Sequence, residues 1–343
     1  MRTLRWLAGS HQLEMIDQRK LPRQVQFAQL STTEEIAEAI RNMTVRGAPA
    51  IGVAAAYGMA MALIRSGATT IDEQLRILTI AAATLKAARP TAVNLAWAVD
   101  NMIASAAKNN DGNLADRLLN FAHAMAEEDV ATNQRIADFG QALIHDGDTI
   151  VHHCNTGSLA TVDYGTALGL IRRAHELGKR VHVLVDETRP RLQGARLTAW
   201  ELQQLGISYE VIADNMSGYY IRKGDVQLVL FGADRVAANG DVVNKIGSYM
   251  LALAAHHNHV PVYSVFPVST LDMTLTHGDL TPIENRDPAE VLDIRIGAES
   301  VMPEGARVRN PAFDITPHEL LTGWVTDKGI IYPPFEQNIR KLI

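Results

Sequence analysis

The chain has 343 residues, of which 47% are hydrophobic, and a formal net charge of −6 at pH 7. This size allows two domains with ample cores, and the acidic balance without a basic stripe argues against nucleic acid as a partner. A single cysteine, Cys154, excludes an internal disulfide and fits a reducing, cytoplasmic compartment.

The chain up to about residue 145 shows helical periodicity. Two overlapping capping boxes in Ser31-Thr32-Thr33-Glu34-Glu35 predict a helix that continues to Met43. The other predicted helices run from Thr70 to Ala88, from Val93 to Lys108 and from Leu114 to Ile144, the last after a turn at Asp111-Gly112-Asn113.

A further helix is predicted after Arg46-Gly47-Ala48-Pro49, because proline suits the first helical turn and the small, apolar run Ile51–Leu63 follows it. The longest apolar run, Ala48–Ile64, falls short of about 20 residues, so it is interpreted as a core helix and predicts no membrane partner. The loop before it exposes unpaired N–H groups and the positive end of the helix dipole. With the charge of Arg46, those groups predict a site for a phosphate or another anion.

From Asp148 onward the pattern changes to buried strands that alternate with helices, which is typical of βαβ units in a parallel, doubly wound sheet. The predicted strands are Thr149–His153, Arg180–Val185, Ser208–Ile212, Val226–Phe231 and Val260–Val265, and the predicted helices are Asp163–Leu177, Ala195–Leu205, Met216–Lys223 and Ile246–His257. We expect the segment Leu271–Arg309 to be irregular and Gly329-Ile330-Ile331 to add an edge strand.

Ligands of open α/β sheets bind at the carboxyl ends of the strands, where this chain places Cys154 and Asp234. An isolated cysteine is usually a small buried hydrophobe. Cys154, however, ends a strand shortly before a helix start, a position that activates a thiol. Asp234 could serve only as a turn cap, but the apolar run Leu228–Ala233 should desolvate it and keep it protonated, as a general acid requires.

Two cations are candidate anion contacts. A solvated surface position is the simpler interpretation of Lys245, but its place just before an apolar helix suits a second phosphate contact. Arg89, which precedes Pro90, fits a helix C-terminal cation and an anion contact equally well. The chain has no Walker loop, GxGxxG fingerprint or HExxH motif, so we expect no nucleotide, redox or metal cofactor.

In several motifs the chain resembles the methylthioribose-1-phosphate isomerase family, which shares a wider family with the regulatory subunits of the translation-initiation guanine-nucleotide exchange factor. The matching segments are Val45–Gly52, Arg89–Leu95, His153–Thr161, Thr188–Arg196, Gly232–Arg235, Asn239–Gly247 and Asn310–Asp314. They span nearly the whole chain. The departures are Phe266, where a small residue is expected, and Asn285, where Glu is expected.

The resemblance implies an α/β protein with a smaller, mainly helical N-terminal domain (residues 1–125) and a Rossmann-like catalytic domain with a parallel sheet (residues 126–343). It implies a homodimer. It also implies that Cys154 and Asp234 are catalytic, and that the substrate contacts are the backbone of Gly47 and Ala48 together with Arg46, Arg89, Gln193, Asn244 and Lys245.

The implied reaction converts the aldose 5-methylthioribose 1-phosphate to the ketose 5-methylthioribulose 1-phosphate in L-methionine salvage, without a cofactor. Three alternatives stay open: a ribose-1,5-bisphosphate isomerase, a non-catalytic regulatory subunit that senses phosphorylated sugars or nucleotides, and a sugar-phosphate binding protein without turnover. The first needs a basic distal pocket where a methylthio group needs an apolar slot. Trp6, Met15 and Tyr164 are candidates for that slot, which the sequence cannot assign.

Overall fold

The computed structural model describes residues 1–90, 92–108 and 114–341, so the turn predicted at Asp111-Gly112-Asn113 lies outside the described residues. The chain forms two compact units. The first consists of Met1–Gln134 and Thr156–Gly165, and the second of Arg135–Asn155 and Thr166–Ile343. The division predicted between residues 125 and 126 stays a prediction.

The first unit opens with a three-stranded antiparallel sheet, so the prediction of helical structure is wrong for this stretch. The strands are β1 (Leu4–Leu7), β2 (Gln12–Ile16) and β3 (Phe27–Leu30), with β2 in the middle. Each has four or five residues, and β2 is buried at four successive positions. Strands this short and unevenly buried carry little of the alternation from which strands are predicted.

Five helices follow: α1 (Thr33–Arg41), α2 (Ala48–Ser66), α3 (Ile71–Ala88), α4 (Val93–Ala107) and α5 (Leu114–Gly140), the last of which continues into the second unit. The predicted capping residues are confirmed. Thr32 accepts a hydrogen bond from the Glu35 N–H at 3.1 Å, and Thr70 accepts one from the Glu73 N–H at 3.4 Å. These bonds satisfy N–H groups that a helix start leaves without helical partners.

Helix α2 is the centre of the first unit's core. Every residue from Ala50 to Met61 is buried. It is the one helix among the described residues that is long and apolar enough to cross a membrane, and 72% of its most apolar window is buried inside the protein. Its small side chains allow close packing, since a Cβ on Gly58 would lie 3.1 Å from Leu85. Its apolar character is therefore that of a core helix.

The second unit contains the remaining elements. They are β4 (Thr149–His152), α6 (Ala167–Glu176), β5 (His182–Asp186), α7 (Ala199–Leu205), β6 (Ser208–Ile212), α8 (Ser217–Lys223), β7 (Leu228–Phe231), β8 (Arg235–Ala237), β9 (Val242–Lys245), α9 (Ser248–His257), β10 (Val262–Val265), β11 (Leu271–Asp272), α10 (Ala289–Leu292), β12 (Arg295–Ile296), β13 (Glu299–Ser300), β14 (Phe313–Thr316), β15 (Gly323–Thr326), β16 (Gly329–Ile331) and α11 (Phe335–Asn338).

Seven strands form the main sheet in the order β16-β15-β10-β7-β4-β5-β6. All neighbours are parallel except the edge strand β16, which confirms both the doubly wound sheet and the predicted edge strand. Successive strand residues point to opposite faces. Thus Leu228 and Leu230 pack in one apolar cluster with α6 and α7, whereas Val229 and Phe231 pack in another with α8 and α9.

The order of the strands places a topological switch point between β4 and β7. From β4 the chain moves outward to β5 and β6, then returns to β7 on the other side of β4 and continues to β10 and β15. The two strands are paired in register, with His152 opposite Leu230. Connections leave a switch point in opposite directions and open a crevice at the carboxyl ends of its strands.

A second sheet in this unit, with the order β11-β8-β9-β14, was not predicted. The turn predicted at Asn239-Gly240-Asp241 is confirmed as the connection between the antiparallel strands β8 and β9. Strand β14 pairs with β9, so that Asp314 lies opposite Asn244. The sheet therefore joins the Asn310–Asp314 motif to the Asn244-Lys245 motif.

Asp129 on α5 makes the stability of the first unit dependent on pH. Its carboxylate accepts a 2.7 Å hydrogen bond from the Val162 N–H, and burial, the larger influence, raises its pKa to about 7. In the unfolded chain this carboxyl ionises near pH 3.9. The stabilisation from holding the proton is complete below that value and is lost as the pH rises to about 7. We expect unfolding free energy to fall by up to about 1.4 kcal/mol per pH unit in this window relative to Asp129→Asn.

Urea unfolding followed by circular dichroism between about pH 4 and pH 7 measures this difference. Asp116→Asn, which changes an exposed carboxyl on the same helix and in the same unit, is the control and should keep the wild-type pH dependence. Identical pH dependence in the wild type and Asp129→Asn would contradict the assignment.

Candidate active site

Cys154 lies in a buried, conformationally unusual position just beyond β4. Its backbone φ is +67°, in the left-handed region that non-glycine residues rarely adopt. The Cys154 N–H donates to Thr188 Oγ1 at 2.9 Å, and its carbonyl accepts from Thr198 Oγ1 at 2.7 Å. Such a conformation persists only where surrounding contacts hold it, and it is commonest at functional sites.

Gln193 meets the thiol directly. Its Nε2 lies 3.9 Å from Cys154 Sγ, within the range of an N–H to sulfur hydrogen bond. Gln193 is buried and follows β5, and it immediately precedes a π-helical segment, Gly194–Thr198, that runs into α7. A Cβ on Gly194 would come within 1.7 Å of the Asp186 carbonyl, so this position must be glycine for the loop to pack against β5. The loop therefore aims Gln193 at the sulfur.

Asp234 follows β7, the immediate neighbour of β4, at the same end of the sheet. Its N–H donates to the Val243 carbonyl at 2.9 Å. The expectation that the apolar run Leu228–Ala233 desolvates it is wrong, because Asp234 is exposed. The run is buried as β7, and the chain emerges from the sheet before it reaches the carboxylate. Asp234 is thus accessible to a ligand in the crevice of the switch point.

Asn244 and Lys245 end β9, next to the start of α9. The Asn244 amide donates to Ser248 Oγ at 2.7 Å, and Ser248 donates in turn to the Lys245 carbonyl at 2.7 Å. The Lys245 ammonium donates to the Ala312 carbonyl at 2.7 Å and lies 4.6 Å from the centre of the Phe313 ring. This cation is therefore held against the Asn310–Asp314 motif.

The first unit supplies the other predicted contacts. Gly47 is the N-cap of α2 with φ +97°, and no side chain among the described residues caps this helix start. Its first turn has no acidic residue, so the positive end of its dipole is not offset there. Arg46 and Ala48 flank Gly47 and are half-buried, and half-buried Arg89 ends α3. These features suit binding of an anion.

The candidates for an apolar slot also lie in the first unit. Met15 is fully buried in its core, which leaves no surface for a ligand. The Trp6 ring stacks on Tyr57 at 5.7 Å, and the Tyr57 hydroxyl lies 2.9 Å from His123 Nδ1. Tyr164 is buried with φ +75°. None of these contacts singles out the slot.

Sequence reasoning missed the residues that hold the candidates in place. Thr188 and Thr198 fix the backbone of Cys154, and Asp314 accepts hydrogen bonds from the Gly247 N–H at 2.7 Å and the Tyr249 N–H at 3.2 Å. Burial, the larger influence, raises the pKa of Asp314 to about 6. Thr188 and Asp314 fall within motifs already singled out, which is the one signal that could have found them, and Thr198 lies two residues beyond such a motif.

Within the described part of the chain, two groups of side chains could geometrically hold a cation: His153 with Asp186 and Asp214, and Asp241 with His318 and Glu319. Both are already engaged in hydrogen bonds. Asp214 accepts from the N–H groups of Thr188 and Arg189 at 2.7 Å each, and Asp241 accepts from the N–H groups of Gly278 and His318 at 3.1 Å each. These bonds account for the clustering without an ion.

A family model, a sequence relative and a solved structure relate this chain to the same group of proteins. The model of the initiation factor 2 subunit family matches residues 44–333. A protein of Pseudothermotoga lettingae named methylthioribose-1-phosphate isomerase 2 is 50% identical over 99% of this chain and 98% of its own length. The structure of 5-methylthioribose 1-phosphate isomerase from Pyrococcus horikoshii superposes with a TM-score of 0.91 and 43% identity, over 99% of this chain and 95% of that one.

A second solved structure carries a different description. The translation initiation factor eIF-2B, subunit delta, from A. fulgidus superposes with a TM-score of 0.89 and 40% identity, over 100% of this chain and 99% of that one. The same fold therefore occurs in proteins described as an isomerase and as a subunit of a translation factor.

The conformation of Gly47 can be tested with a matched pair of substitutions at the two ends of α2. A Cβ on Gly47 would lie 2.3 Å from the Ala160 carbonyl oxygen, whereas a Cβ on Gly67, φ +64°, would meet nothing within 4 Å. We expect Gly67→Ala to cost about 1–2 kcal/mol of backbone strain. Gly47→Ala should cost more. We also expect inorganic phosphate to raise the melting temperature of the wild type but not that of Gly47→Ala.

Differential scanning fluorimetry with and without phosphate measures both effects. An unchanged phosphate response in Gly47→Ala, or equal losses of stability in the two variants, would contradict the role of Gly47.

Proposed function

The chain belongs to the initiation factor 2 subunit family, and we propose that it isomerises 5-methylthioribose 1-phosphate, an aldose, to 5-methylthioribulose 1-phosphate, a ketose. The reaction is a step of L-methionine salvage. Support comes from full-length relatives named methylthioribose-1-phosphate isomerase, among them one of Thermotoga maritima at 49% identity. The observation that carries the proposal is the placement of Cys154 and Asp234 after the neighbouring strands β4 and β7.

The chemistry begins with a blocked sugar. The anomeric carbon, C1, of this substrate is esterified to phosphate, so the ring cannot open as a free hemiacetal does. Asp234, entering protonated, donates its proton to the ring oxygen as the bond from that oxygen to C1 breaks. The ring oxygen becomes a hydroxyl. Asp234 is exposed, so it is the bound sugar that must remove water from its carboxyl and hold it neutral.

The second part of the reaction moves one hydrogen from C2 to C1. In one route the Cys154 thiolate removes the C2 proton, an enol forms between C1 and C2, and the thiol returns the proton to C1. In the other route the hydrogen moves directly with its electron pair, and Cys154 sets the polarity of the surrounding site. In both, the C2 hydroxyl loses its proton to the Asp234 carboxylate, which leaves a C2 ketone and regenerates the acid.

The substrate contacts are assigned by the family resemblance and supported by local chemistry. Arg46, Arg89 and Lys245 carry the positive charge that a phosphate needs, and the N–H groups at Gly47 and Ala48 stand at a helix start without an acidic neighbour in its first turn. Gln193 contacts the Cys154 sulfur, so in this proposal its amide lies next to the reacting carbons, and Asn244 adjoins Lys245. Fixing the substrate in this way supplies several kcal/mol of the barrier reduction.

The role of the two catalytic residues is tested by turnover. Purified protein is incubated with 5-methylthioribose 1-phosphate in deuterated water, and the ketone carbon is followed by ¹³C NMR. We expect Asp234→Asn and Cys154→Ser to lower kcat by about 10²-fold or more with little change in KM, because both act mainly in the transition state. Deuterium at C1 indicates proton transfer.

Asp225→Asn, which changes a half-buried carboxyl after α8 that pairs with Lys223 at 2.8 Å, is the control and should keep wild-type turnover. Ribose 1,5-bisphosphate is the competing substrate, and conversion of that compound alone would establish the bisphosphate isomerase instead. No conversion of either sugar by the wild type would favour a binding or regulatory subunit and contradict the proposal.

We further propose a cytoplasmic homodimer. The single, buried cysteine is compatible with a reducing compartment. The helices α8 and α9 pack together and present Tyr219, Met250 and Leu253 to solvent. Exposed apolar side chains gathered on neighbouring helices are typical of association surfaces.

This surface is tested with a charge substitution. We expect the wild type to be a dimer by size-exclusion chromatography with light scattering, and Met250→Glu to shift it to the monomer by burying an unpaired charge. Met250 is 68% exposed in one chain, and Ile80 on α3 is 65% exposed, so Ile80→Glu is a matched control that should remain dimeric. A monomeric wild type, or a dimeric Met250→Glu, would contradict this interface.

A further inference from the structure

The residue before the thiol, His153, is fully buried and hydrogen-bonded through both ring nitrogens. Nδ1 lies 2.8 Å from Asp186 Oδ2, and Nε2 lies 2.9 Å from the Ile246 carbonyl oxygen. A carbonyl can only accept, so Nε2 carries a proton. Asp186 Oδ1 already accepts from the Ser217 hydroxyl, as an ionised carboxylate does. These contacts fit an imidazolium that donates from both ring nitrogens, to Asp186 and to the Ile246 carbonyl.

The charges around the ring favour this state, although burial raises the pKa of Asp186 and so opposes the ionised form of the partner carboxyl. Burial lowers the pKa of His153, but the hydrogen bond and charge of Asp186 and the charge of Asp214 outweigh it and raise the pKa above its ordinary value. The pKa of Asp314, which burial raises, is in turn lowered by the charge of His153. The neighbouring His152 behaves in the opposite way, because burial lowers its pKa to about 3 and keeps it neutral.

The Ile246 carbonyl that His153 binds belongs to the same peptide group as the Gly247 N–H, and this N–H donates to Asp314 at 2.7 Å. One peptide group is thus held from both ends, by His153 and by Asp314. It directly follows Lys245 and directly precedes α9, so its orientation sets the direction in which the chain leaves the Asn244-Lys245 motif.

Because Gly247 has no side chain, it leaves room for the His153 imidazole ring. Its φ is +105°, and a Cβ would lie 2.8 Å from His153 Cε1 and 3.0 Å from Nε2. A side chain at this position would push the imidazole away from the Ile246 carbonyl. The sequence places a glycine where the ring has to make its closest approach.

We infer that His153 is a positioning residue that couples Cys154 to Lys245 by fixing the peptide group between Ile246 and Gly247. The inference rests on the proposed isomerase function, in which Cys154 acts on the sugar and Lys245 binds its phosphate. Because His153 is the backbone neighbour of Cys154, any movement of the ring displaces the thiol and the phosphate contact together. Displacing a catalytic group by about 1 Å can cost about 10²-fold in rate.

The first test is a double-mutant cycle on KM and kcat. We expect His153→Gln and Asp314→Asn each to raise KM for 5-methylthioribose 1-phosphate about 10-fold or more. The double variant should show less than the product of the two effects, because both act on one peptide group. His182→Gln, which changes a half-buried histidine at the opposite end of β5, is the control and should behave as the wild type. If the rise in KM of the double variant equals the product of the two single rises, the two substitutions act independently and the coupling is overturned.

A second test uses the wild-type protein and therefore does not depend on whether a variant folds. In ¹⁵N-labelled wild type at about pH 8, where an ordinary histidine is neutral, His153 should show two ring N–H signals with imidazolium nitrogen shifts. A single ring N–H signal for His153 would overturn the assignment. So would the disappearance of these N–H signals when the protein is titrated with Zn²⁺ alone, because it would mean that the ring binds the metal ion instead. Failure of the proposed function would appear as absent turnover, which leaves the NMR result unchanged, so the two failures are distinguishable.

Discussion

The pairing of β4 with β7 is the constraint on which the proposed chemistry depends. These strands are the middle of the parallel sheet, and the chain reverses its direction of progress between them. Because of this reversal, the connection that leaves β4 and the connection that leaves β7 run in opposite directions. A crevice is therefore open between them at the carboxyl ends of the two strands. Cys154 follows β4 and Asp234 follows β7. The hydrogen-bond register between the two strands therefore sets how the thiol and the carboxyl stand relative to each other.

Buried polar bonds make the thiol side of this crevice rigid. Thr188 and Thr198 satisfy the N–H and the carbonyl of Cys154, which lets the residue keep a left-handed conformation that would otherwise cost about 1–3 kcal/mol. Asn155 continues the network through a 2.8 Å bond to buried Glu201. The acid side is different, because Asp234 is exposed. A rigid thiol and an accessible acid suit a reaction in which the substrate completes the site.

Local signals in the sequence were sufficient for much of this architecture. The continuous apolar runs of β4 and β7 show strands buried on both faces, and threonines followed three residues later by glutamate mark the starts of α1 and α3. Features made by distant partners could not be predicted. The bonds of His153 join residues 33 and 93 positions apart in the chain, and β14 pairs with a strand some 70 residues earlier. Neither pairing leaves a periodic trace, and the exposure of Asp234 likewise depends on how the chain turns after β7.

The most direct measurement is a crystal structure of the protein soaked with the ketose product. The account predicts that Cys154 Sγ lies within about 4 Å of C1 or C2 and that the Asp234 carboxylate lies within about 3.5 Å of the hydroxyl derived from the ring oxygen, both on one sugar molecule. A sugar bound against one of these groups with the other in a separate cavity would contradict it.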